Sequence, residues 1–555
     1  MLKSALVAAA APALAAVPSA AGAAPCAAKD VVAAMQPGWN LGNTFDAIGA
    51  DETAWGNPRV TTEFLGELVR QGFRSIRIPV TWGDHQGADY TIDATWLARV
   101  REVVGWALDA GLYVLINMHH DSWMWVNQLA TDHDTVLARY TASWTQIAAA
   151  FRDASSRLVL ESINEPTYDG TTGDDQNYQL MDELNTAFHR IVRASGGANA
   201  TRLLVLPTLH ANGDQGRLDA LATTIAALDD PNLAATVHYY GFWPFSVNIA
   251  GYTRFDATSQ QDVTDTFDRA YTTFASRGIP VVIGEYGLLG FDTSLNTVEE
   301  GEKLKFFEYL GYWARTRGLT TMLWDNGQHF NRTTYRWSDP ALYQQMRSSW
   351  TVRSGTADTD MLFVRKATPV TDATVTLNTN GNRLASIVNG DKVLMAGKDY
   401  TVSGAHVTFP AATVTGLVGS AAYGVDSTLS VRFNRGIPWR LDVRTYDAPT
   451  LAAATGTTDA FAIPAVFTGD LLATMEAVYA NGSGNAGPQN WTSYKQFGVA
   501  FNPDYAAGTV ALPAAFFAEV TDATPVTLTF HFWSGTTLTY TVTRNGSAVT
   551  GSPTA

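Results

Sequence analysis

The sequence contains few cysteines, few charged residues and no long apolar runs after its first residues. Each shortage excludes a class of protein. Cys26 is the single cysteine in 555 residues, so no internal disulfide can form and the fold must depend on its apolar cores. Charged residues make up 16% of the chain and the formal net charge is −15. This balance argues against nucleic acid or an anionic membrane as a partner. Beyond residue 24, no apolar run approaches the roughly 20 residues of a membrane span.

Residues 1–24 have the pattern of a secretory signal peptide. Lys3 is basic, Ala5–Val17 is apolar, and Ala21–Ala23 offers small residues for cleavage. An alanine-rich first helix is the alternative, but Pro12 and Pro18 oppose it. We therefore expect a secreted, extracellular protein, and we expect it to be a monomer.

Strand-like and helix-like segments alternate from residue 30 to 352. Eight apolar strands separated by segments with helical spacing predict a (β/α)8 TIM barrel. An open doubly wound sheet is the alternative, but it usually carries an early glycine-rich phosphate loop, and none is present. The predicted strands are Gly38–Gly42, Ser75–Pro79, Tyr113–Met118, Leu158–Ile163, Leu203–Pro207, Ala235–Tyr239, Val281–Gly284 and Thr321–Trp324.

The pattern changes after residue 353, where helical periodicity gives way to short Val/Thr/Leu runs broken by Gly, Asn and Asp. Residues 358–446 predict an immunoglobulin-like β-sandwich. Residues 447–552 predict a second β-sandwich module, with clear strands at Val526–Phe532 and Thr537–Thr543. The barrel is therefore expected to be followed by two all-β modules.

Two carboxylates stand at the ends of predicted strands that are far apart in the chain. Leu158–Ile163 runs into Glu165, and Val281–Gly284 runs into Glu285. The carboxyl ends of barrel strands are where active sites are assembled. Two carboxyl groups about 5–5.5 Å apart are the minimum equipment for retaining glycoside hydrolysis. We therefore predict Glu165 as general acid/base and Glu285 as nucleophile.

Other polar side chains stand near the same strand ends. Arg77 within an apolar strand is destabilising unless it meets a carboxylate, so we expect it to keep Glu285 ionised, with a structural acid as the alternative partner. Either Tyr240 or Tyr286 is expected to hold Glu285 by a phenolic hydrogen bond. His238 is a site residue or a satisfied core histidine. Further candidates for substrate binding are Asn40, His119, His120 and Asn164.

The run His119-His120-Asp121 raises the alternative of a metal cluster. Adjacent strand side chains point to opposite faces, so the two histidines are not expected to share an ion. A catalytic metal site also needs three well-placed donors and an open position. We therefore predict no metal and no cofactor.

The sixteen tryptophans lie largely in segments rich in Gly, Asp, Asn and Pro, which suggests flat stacking surfaces as well as core filling. Trp324 is the strongest candidate, because it ends the last predicted strand. Trp125 is a further candidate for substrate binding. The remaining barrel candidates, some of which are expected to be core residues, are Trp55, Trp82, Trp123 and Trp243.

Six short motifs follow one another along the barrel: GWNLGN at 38–43, RIPV at 77–80, HHD at 119–121, NEP at 164–166, HYY at 238–240 and IGEYG at 283–287. Together they resemble glycoside hydrolase family 5, most closely its endo-β-1,4-glucanase and xyloglucanase branch. The resemblance implies a retaining mechanism with the two glutamates in the predicted roles. It also implies site roles for Arg77, His119, Asn164, His238, Tyr240 and Trp324. The expected partner is a β-glucan polysaccharide such as cellulose or xyloglucan.

The C-terminal half carries the runs Phe467–Asp470, Asn490–Tyr494 and His531–Gly535. It resembles an immunoglobulin-like module followed by a family 46 carbohydrate-binding module, and the resemblance makes Trp491 and Trp533 candidate glucan-stacking residues. A core position is the alternative for Trp533. The sequence leaves open which glucan is preferred and whether the terminal module extends the cleft. A non-catalytic carbohydrate-binding protein on a barrel scaffold is the competing function.

Overall fold

Eight parallel strands close into a barrel in the computed structural model, which describes residues 27–420 and 422–554. The strands pair in chain order and β8 returns to β1, so the predicted (β/α)8 fold is confirmed. The predicted signal peptide and Cys26 lie outside the described residues. The barrel strands are β1 Gly38–Asn40, β2 Ser75–Ile78, β3 Tyr113–Ile116, β4 Leu158–Glu161, β5 Leu204–Pro207, β6 Leu233–Tyr239, β7 Val281–Tyr286 and β8 Thr320–Leu323.

Helices surround the barrel, and none within the described part of the chain is long and apolar enough to cross a membrane. The α-helices of this region are α1 Ala28–Ala34, α2 Thr62–Gln71, α3 Ala94–Asp109, α4 Asp121–Met124, α5 His133–Ala150, α6 Asp174–Ala194, α7 Gln215–Leu228, α8 Trp243–Ser246, α9 Ala257–Thr273, α10 Glu300–Thr316 and α11 Pro340–Ser349.

The strand ends differ from the predicted ones in a way that matters for the site. Strand β4 ends at Glu161 rather than Ile163, and it pairs with β5 only through its last two residues. Strand β7 instead continues through Glu285 to Tyr286. Glu165 therefore lies in the loop after β4, with a left-handed φ of 36°, whereas Glu285 is part of a strand.

The barrel interior is apolar at one end and polar at the other. Leu115, Val159 and Met322 pack against α1, which closes the amino-terminal end of the barrel. The hydroxyls of Ser75 and Thr320 donate to carbonyls of the segment that carries this helix. At the opposite end, paired polar groups replace the apolar layer. Buried charges are costly unless paired, and barrel active sites lie at the carboxyl ends of the strands, so this end is the candidate site. The buried polar residues there include Asn40, Arg77, Asn117, Glu161 and Glu285.

The first β module is a sandwich of two sheets, ordered β10-β17-β16-β12-β13 and β14-β15-β11-β9. Its apolar residues join those of the barrel in one continuous core. Its elements are β9 Thr356–Ala357, β10 Met361–Arg365, β11 Ala373–Asn378, β12 Leu384–Asn389, β13 Lys392–Val393, β14 Thr401–Ser403, β15 His406–Phe409, α12 Ala411–Val418, β16 Gly424–Phe433 and β17 Trp439–Tyr446.

The second β module also has two sheets, ordered β18-β20-β23-β22 and β19-β26-β25-β24-β21, around a core of its own. Its elements are β18 Thr450–Leu451, β19 Ala454–Thr457, β20 Phe461–Val466, β21 Leu472–Tyr479, β22 Asn502–Asp504, β23 Thr509–Leu512, α13 Ala514–Ala518, β24 Val526–Phe532, β25 Thr537–Asn545 and β26 Ala548–Pro553.

This terminal module folds back onto the barrel loops that follow β6. Asn248 Nδ2 donates to the Ala473 carbonyl at 3.1 Å, and the Phe497 amide donates to the Asn248 carbonyl at 3.2 Å. The Ala250 amide donates to the Tyr494 carbonyl at 3.3 Å. A cavity of about 790 Å³ lies at this junction and is lined by neither candidate carboxylate.

Candidate active site

Glu285 is a buried carboxylate, 4% exposed, whose two oxygens are both held. Oε1 accepts from Arg77 Nη1 at 2.6 Å, and Oε2 accepts from the Tyr240 hydroxyl at 2.6 Å. Burial alone would raise the pKa of this carboxyl, but the charges of His238 and Arg77 and the Tyr240 hydrogen bond outweigh it and lower the pKa. Glu285 is therefore ionised at neutral pH.

Arg77 is a fully buried cation that connects residues from several strands. Besides Glu285, its guanidinium donates to Asn40 Oδ1 at 3.0 Å, to Asn164 Oδ1 at 2.8 Å and to Glu161 Oε2 at 2.8 Å. Burial opposes the charge, but the two carboxylates outweigh it and raise the pKa of Arg77. Asn40 is fixed in turn by donating to backbone carbonyls of β7 and β8.

Glu165 has a more open environment than Glu285, with 43% of its side chain exposed. His238 Nδ1 donates to Glu165 Oε1 at 2.7 Å and lies 3.5 Å from Glu285 Oε2. One oxygen of each carboxylate lies within 4.8 Å of the other. Burial lowers the pKa of His238, but the Glu285 charge and the Glu165 hydrogen bond outweigh it and raise the pKa. The imidazole therefore bridges the two acids.

His119 and His120 lie side by side beyond β3, with ring centroids 4.6 Å apart. Because β3 already ends at Ile116, strand alternation does not separate them, and the expectation that the rings point apart is wrong. Possible ligand atoms of Asp46, His119 and His120 lie within 4.8 Å of one another. However, Trp123 Nε1 donates to His120 Nδ1 at 2.9 Å, so this ring carries its proton on Nε2.

Asn117 fixes the proton of His119 in the same way. Its Oδ1 accepts from the Val80 amide and its Nδ2 donates to Glu161 Oε2, so this Nδ2 also faces His119 Nδ1, at 3.2 Å. Burial lowers the pKa of His119 well below its usual value, so the ring is a neutral Nε2–H donor. Both histidines thus present hydrogens rather than lone pairs, which favours hydroxyl ligands over a metal ion.

Exposed aromatic side chains form two groups around the barrel mouth. Trp55 and Trp123 flank His120, with ring centroids 5.3 and 5.5 Å away. Trp243, in the loop after β6, faces Trp491 of the terminal module at 6.2 Å, and these two side chains are 43% and 59% exposed. Because β6 lies across the closed barrel from β2, the two groups lie on opposite sides of the barrel mouth.

Trp324 lies between these two groups, directly after β8. Its ring is parallel to that of His119, with centroids 5.9 Å apart. A Cβ atom at Gly42 would come within 2.9 Å of the Trp324 ring, so only glycine fits there. This close approach fixes the indole as a flat wall that faces His119.

The three parts of the chain each match a known family. Residues 39–330 match cellulase, glycosyl hydrolase family 5. Residues 356–443 match carbohydrate binding domain X2, and residues 447–552 match a further carbohydrate binding domain, CBM46. The chain is 54% identical to Endoglucanase B of Paenibacillus lautus over 532 residues, which is 95% of this chain and 94% of that relative.

The chain belongs to glycosyl hydrolase family 5. Among solved structures, it resembles the full-length tri-modular endo-β-1,4-glucanase B of Bacillus halodurans, with a TM-score of 0.93 and 49% identity over 96% of this chain and 100% of that one. A tri-modular family 5 endo-β-1,4-glucanase of Bacillus licheniformis is 30% identical, with a TM-score of 0.78 over 94% and 99%. These matches confirm the predicted family and the β-1,4-glucanase activity.

The structure of this endoglucanase gathers most of the predicted site residues at the barrel mouth. Arg77, Tyr240 and His238 contact Glu285, while Tyr286 hydrogen-bonds Thr321 instead. Asn164 is bound to Arg77 through its Oδ1, so among the described residues its Nδ2 has no partner and is available to a sugar hydroxyl.

Burial separates three of the predicted site residues, Asn40, Arg77 and Trp125, from the exposed candidates. Asn40 and Arg77 are 0% exposed, so they orient other groups and present no surface to a glucan. Trp125 is 7% exposed, packs in the barrel core and donates to Asp121 Oδ1 at 2.7 Å. Asp121 is thereby turned away from the two histidines. Trp82, a further stacking candidate, is also fully buried.

Trp491 is exposed, whereas Trp533 is partly buried at the junction between the terminal module and the barrel. The Arg254 guanidinium lies 4.8 Å from the Trp533 ring, so one face of this indole is occupied by the barrel and not by the module core. Sequence reasoning missed Glu161 and Asn117, which hold Arg77 and His119. An acid ending the apolar run of β4 was the available signal.

Proposed function

We propose that this family 5 endoglucanase works with retention, Glu285 attacking the anomeric carbon and Glu165 serving as acid and then base. The observation that carries the proposal is that one oxygen of each carboxylate lies within 4.8 Å of the other. Retaining glycosidases hold their carboxyl groups about 5–5.5 Å apart, whereas inverting enzymes leave roughly 6.5–9.5 Å for a water molecule. The short gap supports direct attack by a carboxylate.

The different environments of the two acids support the assignment of roles. Glu285 is buried, ionised and held at both oxygens, as a nucleophile that must not move requires. Glu165 is partly exposed and can reach both a leaving oxygen and an incoming water. Glu165 therefore suits the role of general acid/base, which donates a proton in the first step and accepts one in the second.

The chemical steps follow from these positions. A Glu285 oxygen forms a bond to the anomeric carbon while the bond to the leaving oxygen breaks, and Glu165 gives that oxygen its proton. Glu165 has then given up its proton, so it can act as the base that takes a proton from water. That water breaks the ester and restores the carboxylate. His238, which lies between the two acids, helps to hold their carboxyl groups at a fixed separation.

The aromatic groups favour an extended β-1,4-glucan bound across the mouth. Trp55 and Trp123 at one end, and Trp243 and Trp491 at the other, offer flat faces on which pyranose rings stack. The Bacillus licheniformis relative has a structure described as complexed with cellotetraose, at 30% identity and a TM-score of 0.78. We infer internal cleavage of a chain that occupies both ends.

A side cavity favours branched glucans such as xyloglucan as further substrates. A largely polar cavity of about 290 Å³ opens beside Glu165 and is lined by His210, Asp214 and Arg269, among other residues. A cavity of this size and polarity suits one hydroxylated sugar ring branching from the leaving-group side.

Secretion through residues 1–24 completes the proposal, and a mature chain lacking them in the culture medium would support it.

The mechanism is tested by following fresh hydrolysis of cellohexaose by proton NMR. The first anomeric signal is expected to be β and to convert to α only by mutarotation. An α product formed first would overturn retention. The same preparation on carboxymethylcellulose, mixed-linkage glucan and xyloglucan is expected to release reducing sugar from all three. Inactivity on xyloglucan alone would remove only the branched-substrate part of the proposal.

A further inference from the structure

Glu161 is a second carboxylate beneath the reaction centre, and the mechanism above does not use it. It ends β4 and is 1% exposed. Its Oε2 accepts from Arg77 Nε at 2.8 Å and from Asn117 Nδ2 at 2.9 Å. Its Oε1 is buried and has no partner among the described residues. A buried, half-satisfied carboxylate is costly, so its presence calls for a reason.

The Arg77 guanidinium is divided between two carboxylates on opposite sides. Nε faces Glu161, while Nη1 faces Glu285 at 2.6 Å. Both ion pairs are almost completely buried, with side-chain exposures of 0%, 1% and 6% for Arg77, Glu161 and Glu285. The two carboxylates together supply one more negative charge than is needed to neutralise Arg77.

The surplus charge has a use once Glu285 reacts. When the Glu285 carboxylate becomes a glycosyl ester it loses its negative charge, and a cation paired with it alone would be left buried and uncompensated, which is strongly unfavourable. Glu161 takes no part in the reaction, so its ion pair with Arg77 persists. Sharing Arg77 also prevents the cation from over-stabilising the attacking carboxylate in the ground state.

We propose that Glu161 is a positioning residue that acts as the permanent counter-ion of Arg77, so that Glu285 can transfer its charge to the substrate without leaving a buried unpaired cation. The proposal rests on Glu285 being the nucleophile. It assigns Glu161 no contact with substrate. Through Asn117, the same carboxylate orients the His119 donor.

The pH behaviour of Glu285 depends on every charged or titratable group that faces it. Burial and the charge of Glu285 raise the pKa of Asp292 in the loop after β7, so this acid also belongs to the set. Among the described residues, the set is Arg77 from β2, Glu161 from β4 acting through Arg77, Glu165 from the following loop, His238 from β6, Tyr240 directly after it, and Asp292.

The test is Glu161→Gln, which keeps an acceptor oxygen for Arg77 Nε but removes the charge. The charge of Arg77 then falls on Glu285 alone, so kcat is expected to fall about ten- to hundredfold, with KM changed less than about twofold. The acid limb of kcat/KM against pH is expected to move down by roughly one unit, because Glu285 becomes harder to protonate. A lower melting temperature with an unmoved acid limb would mean a merely structural role and would overturn the proposal.

A second variant separates charge from shape. Glu161→Asp shortens the side chain but keeps the anion, so the acid limb should stay at the wild-type pH with a smaller loss of kcat. If Glu161→Asp shifted the limb as far as Glu161→Gln, charge would not be the cause and the proposal would fail.

Glu52→Gln is the matched control, because Glu52 is also buried and bonds an arginine, Arg99, at 2.7 Å away from the carboxylate pair. It is expected to lower stability and leave the acid limb unmoved. If the wild-type protein inverted the anomeric configuration, or if a covalent glycosyl label were found on a residue other than Glu285, the proposed function itself would fail. Retention with unchanged kcat and acid limb in Glu161→Gln would defeat only the present inference.

Discussion

Glu285 and Glu165 lie within one sugar-sized gap, yet their surroundings differ in almost every respect. Glu285 belongs to a strand, is 4% exposed and is held by Arg77 and Tyr240. Glu165 lies in a loop in a left-handed conformation, is partly exposed and has His238 as its hydrogen-bond partner. Under the proposed mechanism, the difference teaches that a barrel can separate two chemical roles by fixing one acid within the sheet and leaving the other at its rim.

Removing the fixed acid is expected to have the largest effect. Glu285→Gln takes away the proposed nucleophile, so hydrolysis of cellohexaose should fall by at least about 10⁴-fold. Folding should survive, because Arg77 retains Glu161 as its partner. Turnover is measured by reducing-sugar release and folding by thermal melting. Near wild-type turnover in a folded Glu285→Gln protein would refute the assignment.

Removing the rim acid should have a smaller effect that depends on the leaving group. Glu165→Gln is expected to lose about 10² to 10⁴-fold on cellohexaose, the usual contribution of proton transfer. In a 2,4-dinitrophenyl cellobioside, the dinitrophenolate departs without needing a proton, so the variant should still release a burst of it. Added azide, which attacks the glycosyl-enzyme without needing a base, should speed turnover. Equal losses on both substrates would show that the two acids do not divide the roles in this way.

Weakening the hold on Glu285 should move its titration. The lowered pKa of Glu285 means that wild-type activity persists as pH falls below the usual carboxyl range and is lost only as pH passes through that lowered value. Tyr240→Phe removes a 2.6 Å hydrogen bond to the anion, so the acid limb should move to higher pH. kcat should fall roughly tenfold. An acid limb that stays in place would contradict the role given to this hydroxyl.

The smallest effect is expected at the far end of the cleft, in the terminal module. Trp491→Ala removes one stacking face, worth about 0.5–1.5 kcal/mol, so KM for polymeric glucan should rise about two- to tenfold. Hydrolysis of an aryl cellobioside should change little. Val466→Ala is the control, since Val466 is 60% exposed on the same module and outside the aromatic group. Equal effects of Trp491→Ala on polymer and aryl cellobioside would argue against a cleft that reaches the module.

The sequence predicts the barrel correctly and marks two acids that the structure brings close together, because both features depend on local pattern. Apolar strands ending in acids mark Glu165 and Glu285, and a lone arginine in an apolar strand demands a carboxylate. The sequence does not predict which strand-end groups are enclosed. Asn40 and Trp125 carry the right chemistry, but Asn40 is enclosed by the backbone of β7 and β8, to which it donates, and Trp125 is covered by Arg139 and bonded to Asp121.

Long-range contacts account for the remaining differences. Tyr286 follows Glu285 within β7, so its side chain points to the other face, and the hydroxyl that reaches Glu285 Oε2 comes instead from Tyr240, after β6. The return of the terminal module to the loops after β6 depends on single hydrogen bonds such as that of Asn248 to Ala473. Such bonds join residues hundreds of positions apart, so they leave no signal in spacing.

Trapping the covalent intermediate tests the division of roles between the two acids most directly. A 2-deoxy-2-fluoro cellobioside with an activated leaving group should inactivate the enzyme, add one fluoro-cellobiosyl unit, and leave that unit on the peptide containing Glu285 after digestion and mass spectrometry. A label on Glu165, or time-dependent inactivation with no covalent label, would contradict the account.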